Sequence, residues 1–317
     1  MVIFARQGSA FGAPIQEAGF VRIGGLEQWV TIRGVNATHP ILLVIHGGPG
    51  DSQAHLVSEY TPYESKFVVA QWDQRGAGRT FERNRETVKE LTLDRMTLDG
   101  IEVADYLRTH LHHRKVIVLG HSWGSYLATE MVKRRPDLFA AYVGTGQVSN
   151  WPAIVTEQWN YLERAARTAD DQATLDLMKK IGEPDPLNPV QYGAWRRLLN
   201  QKYLGPADSS WLKRLRRQTF GLTPDELKAF GEGQSFSGIQ LFKVYSAEDL
   251  GTTAKEIPVP FFVIQGTEDF FTPATLAVKY FNDVKAPKKG LSMIEGAGHF
   301  ALVTHQEQFL AALLKAR

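Results

Sequence analysis

Apolar residues fall along this chain in two rhythms. Positions 20–23 and 28–33 alternate apolar and polar on either side of Gly24-Gly25, which predicts an antiparallel hairpin with one covered face. Short unbroken apolar runs follow at 41–45, 67–72, 115–119 and 140–144, and again at 260–265 and 291–295. Helical spacing occupies 95–112 and 124–135, and a terminal helix is expected from about Thr304. Buried runs alternating with helices predict an α/β protein with a mainly parallel sheet covered on both faces. Between 151 and 256 the alternation stops. That segment is helical and polar, punctuated by Pro184, Pro186, Pro189, Pro206 and Pro224, and strands resume at Val259. The expected division is a core formed by 1–146 and 257–317, with a helical cap, 147–256, inserted after the sixth strand.

The run at 115–119 leads into Gly120-His121-Ser122-Trp123-Gly124, and a helix follows until Pro136. G-x-S-x-G between a strand and a helix is the pattern of a nucleophile elbow, a sharp turn that exposes the serine hydroxyl. The turn strains the backbone, and glycines beside it let neighbouring segments pass close. A serine hydroxyl becomes a useful nucleophile only when a base takes its proton. Of nine histidines, His39 sits in a turn, while His110, His112 and His113 crowd a helix C-terminus, where cations are favourable. His55 and His305 lie near helix starts, and His121 is expected to turn away from the nucleophile. His299, in the loop after the 291–295 run, is the expected base. Asp269, at the end of the 260–265 run, is expected to orient it, with Glu268 as the neighbouring alternative. The order Ser…Asp…His matches one of three known arrangements of such a triad. A developing oxyanion needs preorganised N–H donors. The amides of Trp123 and of Gly48, in His46-Gly47-Gly48-Pro49-Gly50 after the 41–45 run, are the candidates, since Pro49 has no N–H to give.

These segments, together with Asp73-Gln74-Arg75-Gly76-Ala77-Gly78-Arg79-Thr80, resemble the proline iminopeptidase branch of the α/β-hydrolases. The resemblance covers roughly residues 20–146 and 257–317. It implies an α/β-hydrolase fold, Ser122 as nucleophile with Asp269 and His299 as partners, and Gly48 and Trp123 as oxyanion donors. Asp73 and Arg75 become structural residues that tie loops beneath the site. The implied activity is of aminopeptidase type on a small amide or short peptide. Two segments depart from the pattern. The elbow has His121 where the family usually has glycine. The cap motif of Trp-x-x-Trp-Glu type, whose glutamate helps bind a substrate amine, has Ala194-Trp195-Arg196-Arg197-Leu198 as its nearest counterpart.

Composition narrows the remaining classes. At 317 residues and 43% hydrophobic, the chain can bury a large core. A net charge of +2 argues against nucleic acid or a membrane surface as partner. Without cysteine there is no disulfide, thiolate metal site or cysteine nucleophile. Met1 to Gly8 do not read as a signal peptide, and no apolar run approaches the roughly 18 residues of a membrane helix, so a cytoplasmic protein is expected. No cofactor or metal is expected. In the cap, Trp151, Trp159, Tyr161, Tyr192, Trp195, Tyr203 and Trp211 are aromatics able to line an apolar pocket. Trp151, Trp159 and Trp195, with Gly47 of the glycine turn, are the substrate-contact candidates. Glu157, Glu163, Glu183, Glu226, Glu232 and Glu248 are the carboxylates available to meet an amine. The expected function is a cofactor-free serine hydrolase of a small amide or ester. A carboxylesterase or lactonase is the alternative, and a non-catalytic ligand sensor a remote one.

Overall fold

The computed structural model of the protein describes residues 12–202 and 204–317. Met1–Gly8 and Tyr203 therefore lie outside the described residues. Among the described residues, eight strands form one sheet. They are β1 (Ile15–Ile23), β2 (Leu26–Gly34), β3 (Ile41–Ile45), β4 (Val68–Trp72), β5 (Val116–His121), β6 (Phe139–Thr145), β7 (Phe261–Gly266) and β8 (Lys289–Ile294). Their spatial order is β1-β2-β4-β3-β5-β6-β7-β8. The opening hairpin runs antiparallel, joined at Gly24-Gly25 with Ile23 opposite Leu26, and β2 also pairs antiparallel with β4. From β4 to β8 every pairing is parallel.

Among the described residues, four α-helices precede β6: α1 (Val57–Glu64), α2 (Gly78–Asn84), α3 (Leu93–His110) and α4 (Trp123–Arg134). Between β6 and β7 come α5 (Trp151–Thr168), α6 (Gln172–Ile181), α7 (Pro189–Lys202), α8 (Pro206–Arg217), α9 (Pro224–Tyr245) and α10 (Leu250–Thr253). After β7 the chain adds α11 (Ala274–Asp283), α12 (Ala301–Thr304) and α13 (Gln306–Leu313). The C-terminal helical pattern is thus broken at His305, which leaves the helical region (φ −131°).

The apolar runs are continuous because both faces of the sheet are covered. Ile41, Leu43, Val68, Ala70, Val116 and Val118 enter one core with Val103, Leu107, Leu127 and Met131 of α3 and α4. Their neighbours Leu42, Val44, Val69, Ile117 and Leu119 enter the other, with Tyr60, Tyr63, Phe309 and Leu313. Each such aliphatic side chain contributes about 1.5–3 kcal/mol by leaving water. A charged substitution at Val118, which is fully buried, would remove that and strand a charge between helix and sheet. The insertion holds a smaller core of its own, built from Leu162, Met178, Trp195 and Leu198. No described helix is long and apolar enough to cross a membrane.

Candidate active site

Because β3, β5, β7 and β8 run parallel, the loops leaving them open at one edge of the sheet, where ligands of such sheets bind. Ser122 sits at the junction of β5 and α4 with φ 56° and ψ −125°, a conformation that non-glycine residues rarely adopt. It is held there by its amide, which donates to the Thr145 carbonyl (3.0 Å), and by its carbonyl, which accepts from the Ser125 amide (2.8 Å) and hydroxyl (2.7 Å). The glycines are steric necessities. A Cβ on Gly120 would stand 2.5 Å from the Gly124 oxygen, and one on Gly124 would stand 2.1 Å from the Ile45 oxygen. Trp123 begins α4, so its amide is one of the first-turn donors that a helix leaves without an internal partner. The loop after β3 brings Gly47 and Gly48 alongside: a Cβ on Gly47 would lie 3.0 Å from the Ser122 Cβ, and Gly48 has φ +112°.

Asp269 and His299 meet in the interior. Nδ1 of His299 lies 3.0 and 3.1 Å from the two carboxylate oxygens. Asp269 also accepts from the Phe271 amide (2.9 Å), the Thr272 amide and hydroxyl (both 2.8 Å) and the Gln265 side chain (2.8 Å). Burial alone would raise its pKa, but the charge and hydrogen bond of His299 and the Thr272 donors outweigh it and hold the carboxyl below its usual range. An ionised carboxylate only accepts, so Nδ1 carries the proton and Nε2 is left as a base. Glu268 does not share this arrangement: its carboxylate lies against Gly205, beside α8.

His121 does not turn away. Its ring is 4.8 Å from that of His299, and its Nε2 donates to the His299 carbonyl (3.0 Å) while Nδ1 faces the Gln53 amide (3.3 Å). Burial, then the neighbouring His299, push its pKa down to about 3, so it is a neutral prop. Strand alternation would have put His121 and Ser122 on opposite faces. The positive φ at Ser122 ends that alternation, and both residues line one cleft.

The insertion supplies a residue for which the sequence carried no signal. Asp208, in the first turn of α8, accepts from the backbone amides of His299 (2.7 Å) and Phe300 (3.2 Å). An acid there reads as an ordinary complement to a helix dipole. Burial raises its pKa, opposed by His299.

A cleft open to solvent is lined by Gly47, Gly48, Asp51, His121, Ser122, Tyr192, Arg196, Tyr245 and His299. A second, smaller hollow shares Gly48, Ser122, Tyr192, Arg196 and Tyr245 and adds Trp123, Tyr126, Trp151 and Phe271. Trp151 therefore stands at the cleft. Trp159 and Trp195 do not: their rings pack on each other at 4.2 Å within the core of the insertion, because α5, α6 and α7 need apolar filling between them. None of the six glutamates of the insertion named above lines the cleft. Glu163 pairs with Arg167, Glu226 with Arg79, Glu232 with Arg85, and Glu248 accepts from the Tyr126 hydroxyl behind the wall. The carboxylate that does line it is Asp51, from the loop after β3. Beneath the site, Asp73 accepts from the Ser52 hydroxyl and the Arg79 amide, and burial moves its pKa up to about 6. Arg75 instead pairs with Asp99 at 2.7 Å. Among the described residues no group of three or more His, Cys, Asp or Glu is placed to hold a metal.

The sequence profile of the alpha/beta hydrolase family matches residues 41–312, and the chain belongs to that family. A probable aminopeptidase of Bacillus subtilis (strain 168) is 28% identical over 288 residues, 87% of this chain and 88% of its own. A proline iminopeptidase of Lactobacillus helveticus is 25% identical over 295 residues, 91% of this chain and 93% of its own. Among solved structures, a proline iminopeptidase-related protein from Thermus thermophilus superposes with a TM-score of 0.64 at 20% identity, covering 95% of this chain and 97% of that one. The protein is accordingly a hydrolase of the alpha/beta type, in the proline iminopeptidase-like branch.

Proposed function

We propose that the protein is a serine hydrolase that cleaves small amides or esters through an acyl-enzyme. The observation that carries this reading is the buried Asp269–His299 pair, Nδ1 to carboxylate 3.0 Å, on the same cleft as Ser122. In the proposed cycle Ser122 Oγ attacks the substrate carbonyl as Nε2 of His299 takes its proton. The oxyanion rests on the Gly48 and Trp123 amides. His299 then protonates the departing amine or alcohol. Water enters, loses a proton to the same nitrogen and releases the acyl group, restoring the serine. Asp269 stays ionised throughout and steadies the imidazolium.

The names of the relatives, similar over most of their length, favour an amide substrate with a free amine. Ester hydrolysis is favoured instead by the cleft lining, where no glutamate of the insertion is found. Burying an ammonium there would be costly unless Asp51 meets it. A panel of proline naphthylamide, its N-acetyl form and short-chain nitrophenyl esters separates the two. If N-acetylation lowers kcat/KM by more than about 10²-fold, roughly 2.7 kcal/mol of recognition, the cleft reads an amine. A small effect with rapid ester turnover supports the esterase reading.

A further inference from the structure

The insertion places a cation where the aminopeptidase reading wants an anion. Arg196, on α7, is half-buried and lines both cavities that contain Ser122. Its guanidinium carbon lies 3.6 Å from the centre of the Phe271 ring, within stacking contact. Phe271 follows Asp269 by two residues, and its amide is anchored to that carboxylate at 2.9 Å. The stacking partner of the arginine is therefore tied through its backbone to the Asp269 carboxylate. Stacking covers one face of the planar cation and leaves its N–H donors free at the edge, the geometry that suits bidentate capture of a carboxylate.

No described carboxylate stands within ion-pair distance of Arg196. Asp51 lines the same cleft, and burial disfavours its charged form against the pull of Arg196 and His299. A half-buried cation facing a cleft without a close counter-ion is unfavourable in the empty protein. A ligand that brings a negative charge removes that penalty, while one that brings an ammonium increases it.

We propose that Arg196 selects substrates carrying a free carboxylate, which it holds while the scissile carbonyl lies at Ser122. The substrate class is an ester or amide with a carboxylate in its acyl or its leaving half. This inference rests on the serine hydrolase reading for its kinetic arm only.

The test compares acid and neutral forms of two esters. Mono-(4-nitrophenyl) adipate against its methyl ester places the charge in the acyl half. 4-Butyryloxybenzoate against its methyl ester places it in the leaving half. In at least one pair, the acid-to-neutral ratio of kcat/KM should fall by about 10–100-fold in Arg196→Gln, the range expected for a charge-assisted bidentate contact. Arg196→Lys, which keeps the charge and loses the fork, should fall between, and the exposed neighbour change Arg197→Gln should leave the ratios alone. Ratios within about twofold of wild type for both pairs in Arg196→Gln would overturn the proposal, as would a wild-type preference for an amine-bearing ester over its acetylated form. Because each ratio is internal to one protein, partial unfolding of a variant cancels. A second readout needs no turnover: adipate monomethyl ester should raise the melting temperature of Ser122→Ala protein more than hexanamide does, and the difference should vanish when Arg196→Gln is added. Binding without hydrolysis would sink the serine hydrolase reading and leave Arg196 standing. Hydrolysis of both esters with no charge preference does the reverse.

Discussion

The two walls of the cleft are held in place by different kinds of structure. On the sheet side, Gly47, Gly48, Ser122 and Trp123 are fixed by backbone: positive φ angles, amide-to-carbonyl bonds and glycines with no room for a Cβ. On the side of the insertion, Trp151, Tyr192, Arg196 and Tyr245 project from helices, and they meet through ring contacts such as Trp151 on Tyr245 at 4.7 Å. A backbone-defined wall tolerates almost no change in sequence. A wall of side chains on helices can change its chemistry one residue at a time. The reaction should therefore belong to the first wall and the choice of substrate to the second. Asp208 is one residue that joins them, since it reaches from α8 to the amide of His299.

The largest effects should come from the sheet side. Ser122→Ala removes the proposed nucleophile, so kcat/KM should drop on the order of 10⁶-fold, and covalent labelling by a fluorophosphonate should disappear. Labelling that persisted would mean the strained elbow is not where the chemistry happens. Asp269→Asn should keep the fold but present His299 with a donor in place of an acceptor, costing about 10⁴-fold in turnover. Glu268→Gln, whose carboxylate lies near Gly205 rather than His299, should change turnover by no more than about twofold, as surface substitutions do. A larger loss at Glu268 than at Asp269 would reassign the acid.

How much of each wall was legible in the sequence follows the same division. The elbow was readable because a positive φ on a non-glycine residue demands glycines at fixed offsets, and those are visible as letters. Asp269 and His299 were readable because they follow apolar runs that could only be buried strands. Asp208 was not, because an aspartate in a first turn looks like a solvated charge wherever it points, and Arg196 was marked only by the segment that stands where the family has a glutamate, which does not say whether it faces the cleft. Trp151, Trp159 and Trp195 are equivalent as letters, and only the packing of α5 against α7 separates the one at the cleft from the two inside the insertion. The short helix α2 escaped notice as well, and α1 was marked only by a start near His55. Pro62 lies inside α1, and Tyr60 and Tyr63 supply its buried face in place of aliphatic residues.

An intermediate effect should mark the junction. Asp208→Ala leaves the His299 and Phe300 amides without their acceptor, freeing the loop that carries the proposed base. Loss of alignment on the scale of an ångström costs up to about 10²-fold, so kcat should fall by about 10–100-fold while fluorophosphonate labelling persists, slower. Asp208→Asn keeps one acceptor oxygen and should recover part of the loss. If Asp208→Ala changes KM alone, the insertion acts on substrate binding only and the two walls are independent.

The smallest expected effect lies in stability rather than turnover, and it tests how rigid the sheet side is. His121 is buried with its pKa lowered from 6.5 to about 3, chiefly by burial and then by His299. In the unfolded chain the same imidazole binds a proton near pH 6.5. Between those values the unfolded state holds more protons, so the contribution of His121 to stability is intact above pH 6.5 and is lost as pH falls. The slope is about 1.4 kcal/mol per pH unit. His46, also lowered by burial, to about 4, adds a slope of the same sign. Asp73, raised to about 6, opposes both, since protonation favours its folded form as pH falls. Those two backgrounds are common to wild type and variant and cancel in the difference. His121→Asn retains a donor for the His299 carbonyl but cannot titrate. Urea unfolding at pH 6.5 and about two units lower should therefore show a smaller loss in the variant than in wild type, by about 2–3 kcal/mol. Equal losses would mean that His121 takes up a proton in the folded state, and that the wall built from backbone yields there to admit the charge.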